Sequence, residues 1–322
     1  MKKQLLCIFL ALLMIPVLLL AGCTSPSTPT PSNTAAPTAT STPGGSITPT
    51  QISQPTETTP EPVEKGTVKM VYVQWACAEA ETHIAEAVLQ DMGYEVEKQV
   101  ISAGPMWTSV ATGDADVFTT AWLPYTHEAY WTKYQDEVED LGVLFTGAKL
   151  GLVVPDYVTI DSITELNDHK DKFGSRIVGI EPGAGLMIHT EEDTIPTYGL
   201  QDWKFVASSE AAMIAELTRA IEKQEWIVVT GWAPHWKFFK WDLKILDDPE
   251  LTLGGSEEIR VIARKGFSED MPEAASILSK FSLTDSQLGE VMYKIDVENM
   301  DPVEAAREWV DANQDIVKDW TS

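Results

Sequence analysis

Apolar and polar stretches alternate along the first part of the folded region in a way that indicates strands and helices in turn. The apolar run Val68–Val73 predicts a strand, and Ala78–Met92, which Gly93 ends, predicts a helix. A strand, a helix with proline near its start and a short strand are then predicted at Glu95–Val100, Pro105–Thr112 and Asp116–Thr119. This alternation predicts an α/β domain with a mostly parallel sheet.

A second series of the same kind begins near the middle of the chain. It contains a predicted strand at Ile177–Ile180, a helix at Ser209–Lys223 and a strand at Trp226–Val229. The extended stretches Lys149–Pro155 and Ile259–Lys265 flank this series, and we expect both to pass between lobes. The tail is predicted to be helical at Pro272–Phe281, Asp285–Tyr293 and Pro302–Trp320.

These two series predict a two-lobed α/β fold with a hinged cleft between the lobes. Residues 66–154 and 256–322 are expected to form lobe I, and residues 155–255 are expected to form lobe II, inserted into it. Two lobes that are joined by extended segments can close over a ligand by hinge motion.

The N-terminus has the pattern of a bacterial export signal. Lys2 and Lys3 precede the apolar run Leu5–Leu20, which predicts a signal peptide over residues 1–22. The letters LAGC, which end at Cys23, resemble the lipobox of bacterial and some archaeal lipoproteins. That resemblance implies a lipid anchor on Cys23 and a location on the extracytoplasmic face of the cell membrane. The alternative is an uncleaved transmembrane helix, but the run is short for one and contains Pro16.

Residues 23–65 are rich in Ser, Thr and Pro and poor in large apolar residues. Such a composition cannot bury enough apolar surface to fold, so it predicts a disordered tether between anchor and domain. Cys77 is the one cysteine in the predicted folded region, which excludes a disulfide within it.

The formal net charge of -26 argues against two classes of partner. A strongly acidic surface repels nucleic acid phosphates and anionic lipid headgroups. We therefore expect no nucleic acid partner, and contact with the membrane only through the lipid anchor.

Three tryptophans, Trp75, Trp122 and Trp232, each follow a predicted strand. In open α/β sheets ligands bind beyond the carboxyl ends of the strands, so these rings could face one another across the cleft. Indole faces without neighbouring carboxylates suit a quaternary ammonium ion, whose positive charge is attracted to π faces. The alternative for each ring is ordinary core packing.

A glycine-bearing turn, EPGAGLM, follows the strand Ile177–Ile180 and precedes a helix. Free backbone N–H groups at such a helix start suit an anion, here a carboxylate. The turn is not a dinucleotide-binding fingerprint, because Ile188 stands where the third glycine is needed. His127, close behind Trp122, could donate a hydrogen bond to the same carboxylate, or could simply pack against the following helix.

An enzyme is the chief competing class. Cys77 with His83 or His127 could suggest a thiol hydrolase, but a cysteine in the stretch WACA is more typical of a small buried residue. The sequence contains neither a G-x-S-x-G elbow nor an H-E-x-x-H zinc motif. We expect no catalytic residues, no metal ligands and no cofactor.

Seven stretches, spread in order over residues 66–320, resemble one known family. They are VQWACAE, GDADVFTTAWLPYTH, GAKLGLVVPDY, GIEPGAGLM, SSEAAMIAEL, IVVTGWAPHW and IARKG. The family is the OpuAC-like glycine-betaine-binding component of ABC importers, which take up osmoprotectants.

The resemblance implies a type II periplasmic-binding-protein fold and a three-tryptophan prism around the quaternary ammonium group. On this sequence the prism is Trp75, Trp122 and Trp232. The carboxylate would meet the N–H groups of Gly185 and Leu186, with His127 assisting. The implied protein is a monomer whose partners are glycine betaine or a similar zwitterion, an ABC permease and its ATPase.

Some alternatives remain open at the level of the sequence. Cys77 and Thr120 depart from the family pattern, and we expect them to alter the rim of the pocket and so the choice among betaines. The ligand could instead be choline or carnitine. The protein could also be a sensor receptor that is not coupled to a transporter.

Overall fold

The computed structural model describes residues 65–322. The predicted signal peptide 1–22, the predicted lipid-bearing Cys23 and the predicted tether up to residue 64 lie outside the described residues. The described residues fall in one compact unit.

Within residues 65–322 the chain forms nine strands. They are β1 (Thr67–Tyr72), β2 (Glu95–Val100), β3 (Val117–Leu123), β4 (Val138–Pro155), β5 (Arg176–Val178), β6 (Lys204–Val206), β7 (Val229–Ala233), β8 (Leu243–Ile245) and β9 (Glu257–Arg264).

The same part of the chain forms twelve α-helices, several of which are single turns. They are α1 (Ala76–Asp91), α2 (Ala103–Thr112), α3 (Glu128–Tyr134), α4 (Gly185–His189), α5 (Ile195–Thr197), α6 (Glu210–Lys223), α7 (Lys237–Lys240), α8 (Phe267–Asp270), α9 (Pro272–Lys280), α10 (Asp285–Asp296), α11 (Pro302–Ala312) and α12 (Gln314–Thr321). A 3₁₀ helix at Ile163–Phe173 and a π-helical turn at Thr190–Thr194 complete the described helical structure.

The strands lie in the order β2-β1-β3-β9-β4-β7-β5-β6, and β8 pairs with β4 beside this path. β1 is parallel to β2 and β3, and β5 is parallel to β6 and β7. β4 and β9 run antiparallel to all of their neighbours. The predicted mostly parallel sheet is therefore correct only at the two ends, because two long extended strands run through the centre.

The long strand β4 changes its partners along its length. Val138–Ala148 pairs with β9, and Lys149–Pro155 pairs with β7 and β8. We use this change to name the first half (residues 66–154 and 256–322) and the second half (residues 155–255), and we keep the division into two lobes as a proposal.

The predicted crossing at Ile259–Lys265 was wrong. Most of this stretch belongs to β9, which lies inside the first half between β3 and β4. An apolar extended run looks the same in sequence whether it crosses between lobes or fills the centre of a sheet.

The elements around the later site follow from their sequences. β3 has the sequence VFTTAWL, and all seven residues are buried, as expected of a strand between two others. α1 packs against β3, α10 and α11 and is buried over most of its surface. Gly93, with φ of +91°, follows α1 in a conformation that favours glycine.

The tail forms two helices where the sequence predicts one over Pro302–Trp320. The break falls at Asn313, whose φ of -120° and ψ of 38° are not helical. Its side-chain amide donates to the carbonyl oxygen of Trp309 at 2.7 Å. A side chain that bonds locally to the backbone competes with continuation of the helix.

Candidate functional site

Three tryptophans that are far apart in the sequence line one cavity. Trp75, Trp122 and Trp232 border a cavity with about 290 Å³ of empty space, which includes open solvent at its mouth. Each of the three residues is buried, with at most 6% of its surface exposed. The other lining residues are small, apolar or, in one case, a threonine: Thr126, Leu150, Ile180, Ala184, Gly185 and Leu186. None of these nine residues carries a charge, so the walls are mainly aromatic and aliphatic.

The positions of the three rings relative to the strands differ in part from the prediction. Trp75 lies beyond β1 as the N-cap of α1, as expected. Trp122 and Trp232 lie inside β3 and β7 rather than beyond them. The reason is antiparallel pairing, because Trp122 lies opposite Ile259 and Trp232 lies opposite Leu150.

Trp75 is held at both its edge and its face. Its Nε1–H donates to a carboxylate oxygen of Glu181 in the second half. Its ring stacks on the imidazole of His127, with 6.1 Å between the ring centroids and 27° between the planes. Both contacts restrict the rotation of the indole.

Trp122 is oriented by a buried hydroxyl group. Its Nε1–H donates to Oγ1 of Thr120 at 3.3 Å. Thr120 and Cys77 are both fully buried and neither lines the cavity, and their expected effect on the rim of the pocket and on the choice among betaines stays a prediction. Thr120 contacts the wall of the cavity through its hydrogen bond to Trp122.

Trp232 has a cation against its ring. Nζ of Lys237 lies 4.6 Å from the ring centroid and donates to the carbonyl oxygen of Trp232 at 3.3 Å. Lys237 is fully buried and is not among the residues that line the cavity, and burial lowers the pKa of its ammonium group to about 7.

Gly185 and Leu186 are the first two residues of α4, and both line the cavity. The N-cap residue, Ala184, provides no side-chain cap. The first N–H groups of a helix have no partner within the helix, so these two donors are available to an acceptor at the cavity wall. A Cβ on Gly185 would lie 2.2 Å from the carbonyl oxygen of Thr126, which explains why glycine is needed here.

His127 is fully buried and lies behind Trp75 rather than among the lining residues. Its Nδ1 accepts a hydrogen bond from the backbone N–H of Trp122 at 3.1 Å. Burial, together with the nearby His189, lowers the pKa of His127 to about 3, so the ring is neutral. A neutral ring that accepts at Nδ1 carries its proton on Nε2, and this donor has no protein partner among the described residues.

The turn that carries Thr126 and His127 is held by a carboxylate from β9. Glu257 is buried and accepts hydrogen bonds from the backbone N–H groups of Tyr125 at 2.7 Å and Thr126 at 2.8 Å. The turn follows a cis peptide bond between Leu123 and Pro124. The charge of Glu257 is thus satisfied by the turn itself.

Some residues of the site were not predicted. Thr126 lies within the stretch WLPYTH, and Leu150 is the strand partner of Trp232. Ile180 directly precedes the glycine-bearing turn, and Ala184 lies within it. Their positions next to predicted residues are a usable signal, but which of them face the cavity depends on strand pairing that the sequence does not reveal.

The chemistry of the cavity suits a small zwitterion. Aromatic walls attract a methylated cation, and two backbone N–H groups at the positive end of a helix attract an anion. Within residues 65–322 no group of three or more His, Cys, Asp or Glu side chains is arranged to hold a metal ion. In that same range no helix has the length and apolar character needed to cross a membrane.

The chain is similar to several known proteins. A family model described as the substrate binding domain of an ABC-type glycine betaine transport system matches residues 66–312. The glycine betaine/carnitine transport binding protein GbuC of Listeria monocytogenes is 40% identical over 181 residues. That match covers 56% of this chain and 58% of GbuC, which is less than two thirds of the relative's length.

Two solved structures have folds similar to that of this chain. Lactococcal OpuAC, in a closed-liganded conformation with glycine betaine, gives a TM-score of 0.76 at 40% identity, covering 80% of this chain and all of that one. An ABC-transporter choline binding protein in complex with choline gives a TM-score of 0.73 at 30% identity, covering 79% of this chain and 91% of that one.

Proposed function

Because this chain belongs to the family of substrate-binding domains of ABC-type glycine betaine transport systems, we propose that it captures glycine betaine or a related quaternary ammonium zwitterion for import. The fold is the expected type II periplasmic-binding-protein fold. Members of this family bind a transported substrate and do not transform it, which confirms the prediction of a binding protein rather than an enzyme.

The observation that carries the proposal is the meeting of three indole rings at one uncharged cavity. Trp75, Trp122 and Trp232 hold the methylated nitrogen against their π faces. A desolvated cation–π contact contributes up to about 2 kcal/mol, so three of them can offset much of the cost of immobilising a small ligand. The expected dissociation constant is about micromolar.

The carboxylate of the ligand is held at the other end of the cavity. It accepts hydrogen bonds from the backbone N–H groups of Gly185 and Leu186, where α4 begins. Nε2–H of His127 is the third donor, supported by its fixed tautomer and its lack of a protein partner among the described residues. Since His127 lies behind Trp75, this contact needs a small shift of the turn when ligand binds.

The two donors at α4 favour a betaine over choline. Choline has no carboxylate and would leave these buried donors without a partner, which costs affinity. Carnitine keeps the carboxylate but is longer, and a relative is named for both glycine betaine and carnitine. Glycine betaine is therefore the proposed ligand, with carnitine second and choline third, the last supported by the similar choline binding protein.

Uptake needs partners that act after capture. The closed, liganded protein docks on an ABC permease, whose ATPase drives transport, and the protein acts as a monomer. Cys23 carries the lipid anchor, and residues 23–65 let the domain move near the extracytoplasmic face of the membrane. These proposals rest on the sequence of residues 1–65 and on the family.

A sensor not coupled to transport would bind the same ligand. Loss of betaine uptake on deletion of the gene separates a transport protein from such a sensor.

A calorimetric titration with glycine betaine, carnitine and choline tests the proposed ligand. We expect glycine betaine to bind at least about tenfold more tightly than choline, because of the two unpaired donors. Trp232→Ala should weaken glycine betaine binding by about thirtyfold or more, the loss of one desolvated cation–π wall.

Trp241→Ala is the matched control, since Trp241 does not line the cavity. Trp232 is buried and its ring packs against Lys237, so each variant is first checked by thermal unfolding. Unchanged betaine affinity in a folded Trp232→Ala protein would contradict the proposed site.

A further inference from the structure

The start of α1 lacks a cap from its own sequence. α1 is 16 residues long and its N-cap is Trp75, which makes no side-chain capping hydrogen bond. An indole cannot accept the hydrogen bonds that first-turn N–H groups offer, whereas the usual Ser, Thr, Asp and Asn can. Because Trp75 is also a wall of the cavity, whatever fixes the start of α1 also fixes that wall.

The missing cap comes from the second half of the molecule. Oε2 of Glu210, the first residue of α6, accepts a hydrogen bond from the backbone N–H of Ala76 at 3.1 Å. Its Oε1 pairs at 2.9 Å with Nε2 of His235. Nδ1 of His235 accepts from the N–H of Lys237 at 3.1 Å, which leaves Nε2 as the donor to Glu210. Glu210 is thus oriented by its own half and acts on the other.

A second carboxylate holds the side chain of the same N-cap residue. Nε1–H of Trp75 donates to Oε1 of Glu181, again from the second half. Glu181 follows Ile180, which lines the cavity, and lies four residues before Gly185. One short segment therefore carries both the partner of the Trp75 ring and the donors proposed for the ligand's carboxylate.

Neither glutamate touches the space that a ligand would fill. Glu181 and Glu210 are absent from the residues that line the tryptophan cavity, and both line a larger cleft beside it. Their contacts with the wall of the cavity are made through Trp75 and Ala76.

We propose that Glu181 and Glu210 are positioning residues for ligand binding, a carboxylate clamp that holds Trp75 in place when the two halves meet. This inference rests on the proposed function and deepens it. If the halves separate, α1 loses its cap and Trp75 loses its partner, so the clamp favours the closed form in the free protein as well as in the complex, and the indole N–H of Trp75 exchanges from the open form. The clamp and the ligand then stabilise the same closed state, and each strengthens the other.

Glu181 provides the cleaner test, because replacing the buried Glu210 also removes the partner of His235. We expect Glu181→Ala to release glycine betaine about tenfold faster in stopped-flow fluorescence, since one charge-assisted hydrogen bond is lost. Glu181→Gln keeps an amide oxygen that can accept from Trp75, and it should release betaine within about threefold of the wild-type rate. Glu192→Ala, an exposed carboxylate of the neighbouring turn, is the control and should behave as wild type.

A measurement without ligand keeps the clamp separate from the proposed function. Hydrogen exchange of the Trp75 indole N–H, followed by NMR in the free protein, should be about tenfold faster in Glu181→Ala than in wild type or Glu181→Gln. If wild type binds no quaternary ammonium ligand, the proposed function fails, and the exchange rates still decide the clamp. Equal exchange in wild type and Glu181→Ala, equal release rates in the two, or a Gln variant as impaired as Ala would each overturn the clamp.

Discussion

At the scale of single residues, one close approach at the site brings a glycine against a carbonyl group. Gly185 meets the backbone of Thr126, so the two halves touch where the proposed carboxylate donors begin. An added Cβ would lie 2.2 Å from the Thr126 oxygen and 2.7 Å from its Cγ2. Because the closest overlap would be with a backbone group, a change of side-chain rotamer cannot relieve it.

We therefore expect Gly185→Ala to weaken glycine betaine binding by about tenfold or more, because overpacking pushes the donors away from the cavity. Gly255→Ala is the matched control, since a Cβ there meets open space and the backbone needs no positive φ. Calorimetry on both variants decides the point. Gly185→Ala with wild-type affinity would mean that the turn moves freely and that its geometry does not matter for binding.

The individual cavity residues show what the sequence can and cannot reveal. Trp75, Trp122, Trp232, Gly185 and Leu186 were named from strand positions, a glycine-bearing turn and a family resemblance, and the structure brings all five to one cavity. Their binding roles remain proposals.

The orienting residues could not be found in the same way. Glu181 and Glu210 were not singled out, because each acts through a contact with the other half of the molecule. Lys237 was also missed, since a lysine among aromatic residues ordinarily suggests a surface position.

At the scale of secondary-structure elements, the end of α10 carries a carboxyl group with an unusual environment. Burial raises the pKa of Asp296 to about 7; the charge of Glu79 adds to the rise, and Trp236 acts against it. In the unfolded chain an aspartate titrates near pH 4. The folded protein therefore holds a proton here, between about pH 4 and pH 7, that the unfolded chain has already lost.

The sign of the pH effect follows directly. A carboxyl pKa that is raised by folding stabilises the protein below the unfolded value, and this contribution is lost as the pH rises towards 7. We expect the melting temperature of Asp296→Asn to fall less than that of wild type between pH 5 and pH 8. Asp319→Asn, an exposed residue at the end of α12, is the control. Parallel melting curves for wild type and Asp296→Asn would exclude a raised pKa at this position.

Helices and strands with strong periodicity were predicted well, and those defined by tertiary pairing were not. α1, α6 and α9 lie close to their predicted spans. β7 begins at Val229, three residues later than predicted, and continues to Ala233 because it pairs with β4. The short strands β6 and β8 have three residues each and depend on pairing with neighbouring strands. The pattern of apolar and polar residues in the sequence could therefore not indicate them.

At the scale of the whole molecule, contacts between the halves surround the cavity. Besides the carboxylate clamp, the hydroxyl of Tyr130 donates to the carbonyl oxygen of Gly183 at 3.1 Å. The rings of Tyr125 and His189 stack with their centroids 4.1 Å apart. The first contact joins α3 to the glycine-bearing turn, and the second joins the WLPYTH turn to the end of α4. If the two halves move as the proposed lobes, their closure would therefore also complete the site.

The central claim is that the three indoles recognise positive charge and not merely apolar bulk. Glycine betaine has a carbon isostere, the anion 3,3-dimethylbutanoate, in which an uncharged quaternary carbon replaces the positively charged nitrogen and the carboxylate is kept. Calorimetric titration of both compounds at one pH and one salt concentration isolates the contribution of the charge. We predict that betaine binds at least about a hundredfold more tightly, because three desolvated cation–π contacts are lost in the isostere. Equal affinity for the two compounds would contradict an aromatic cation cage.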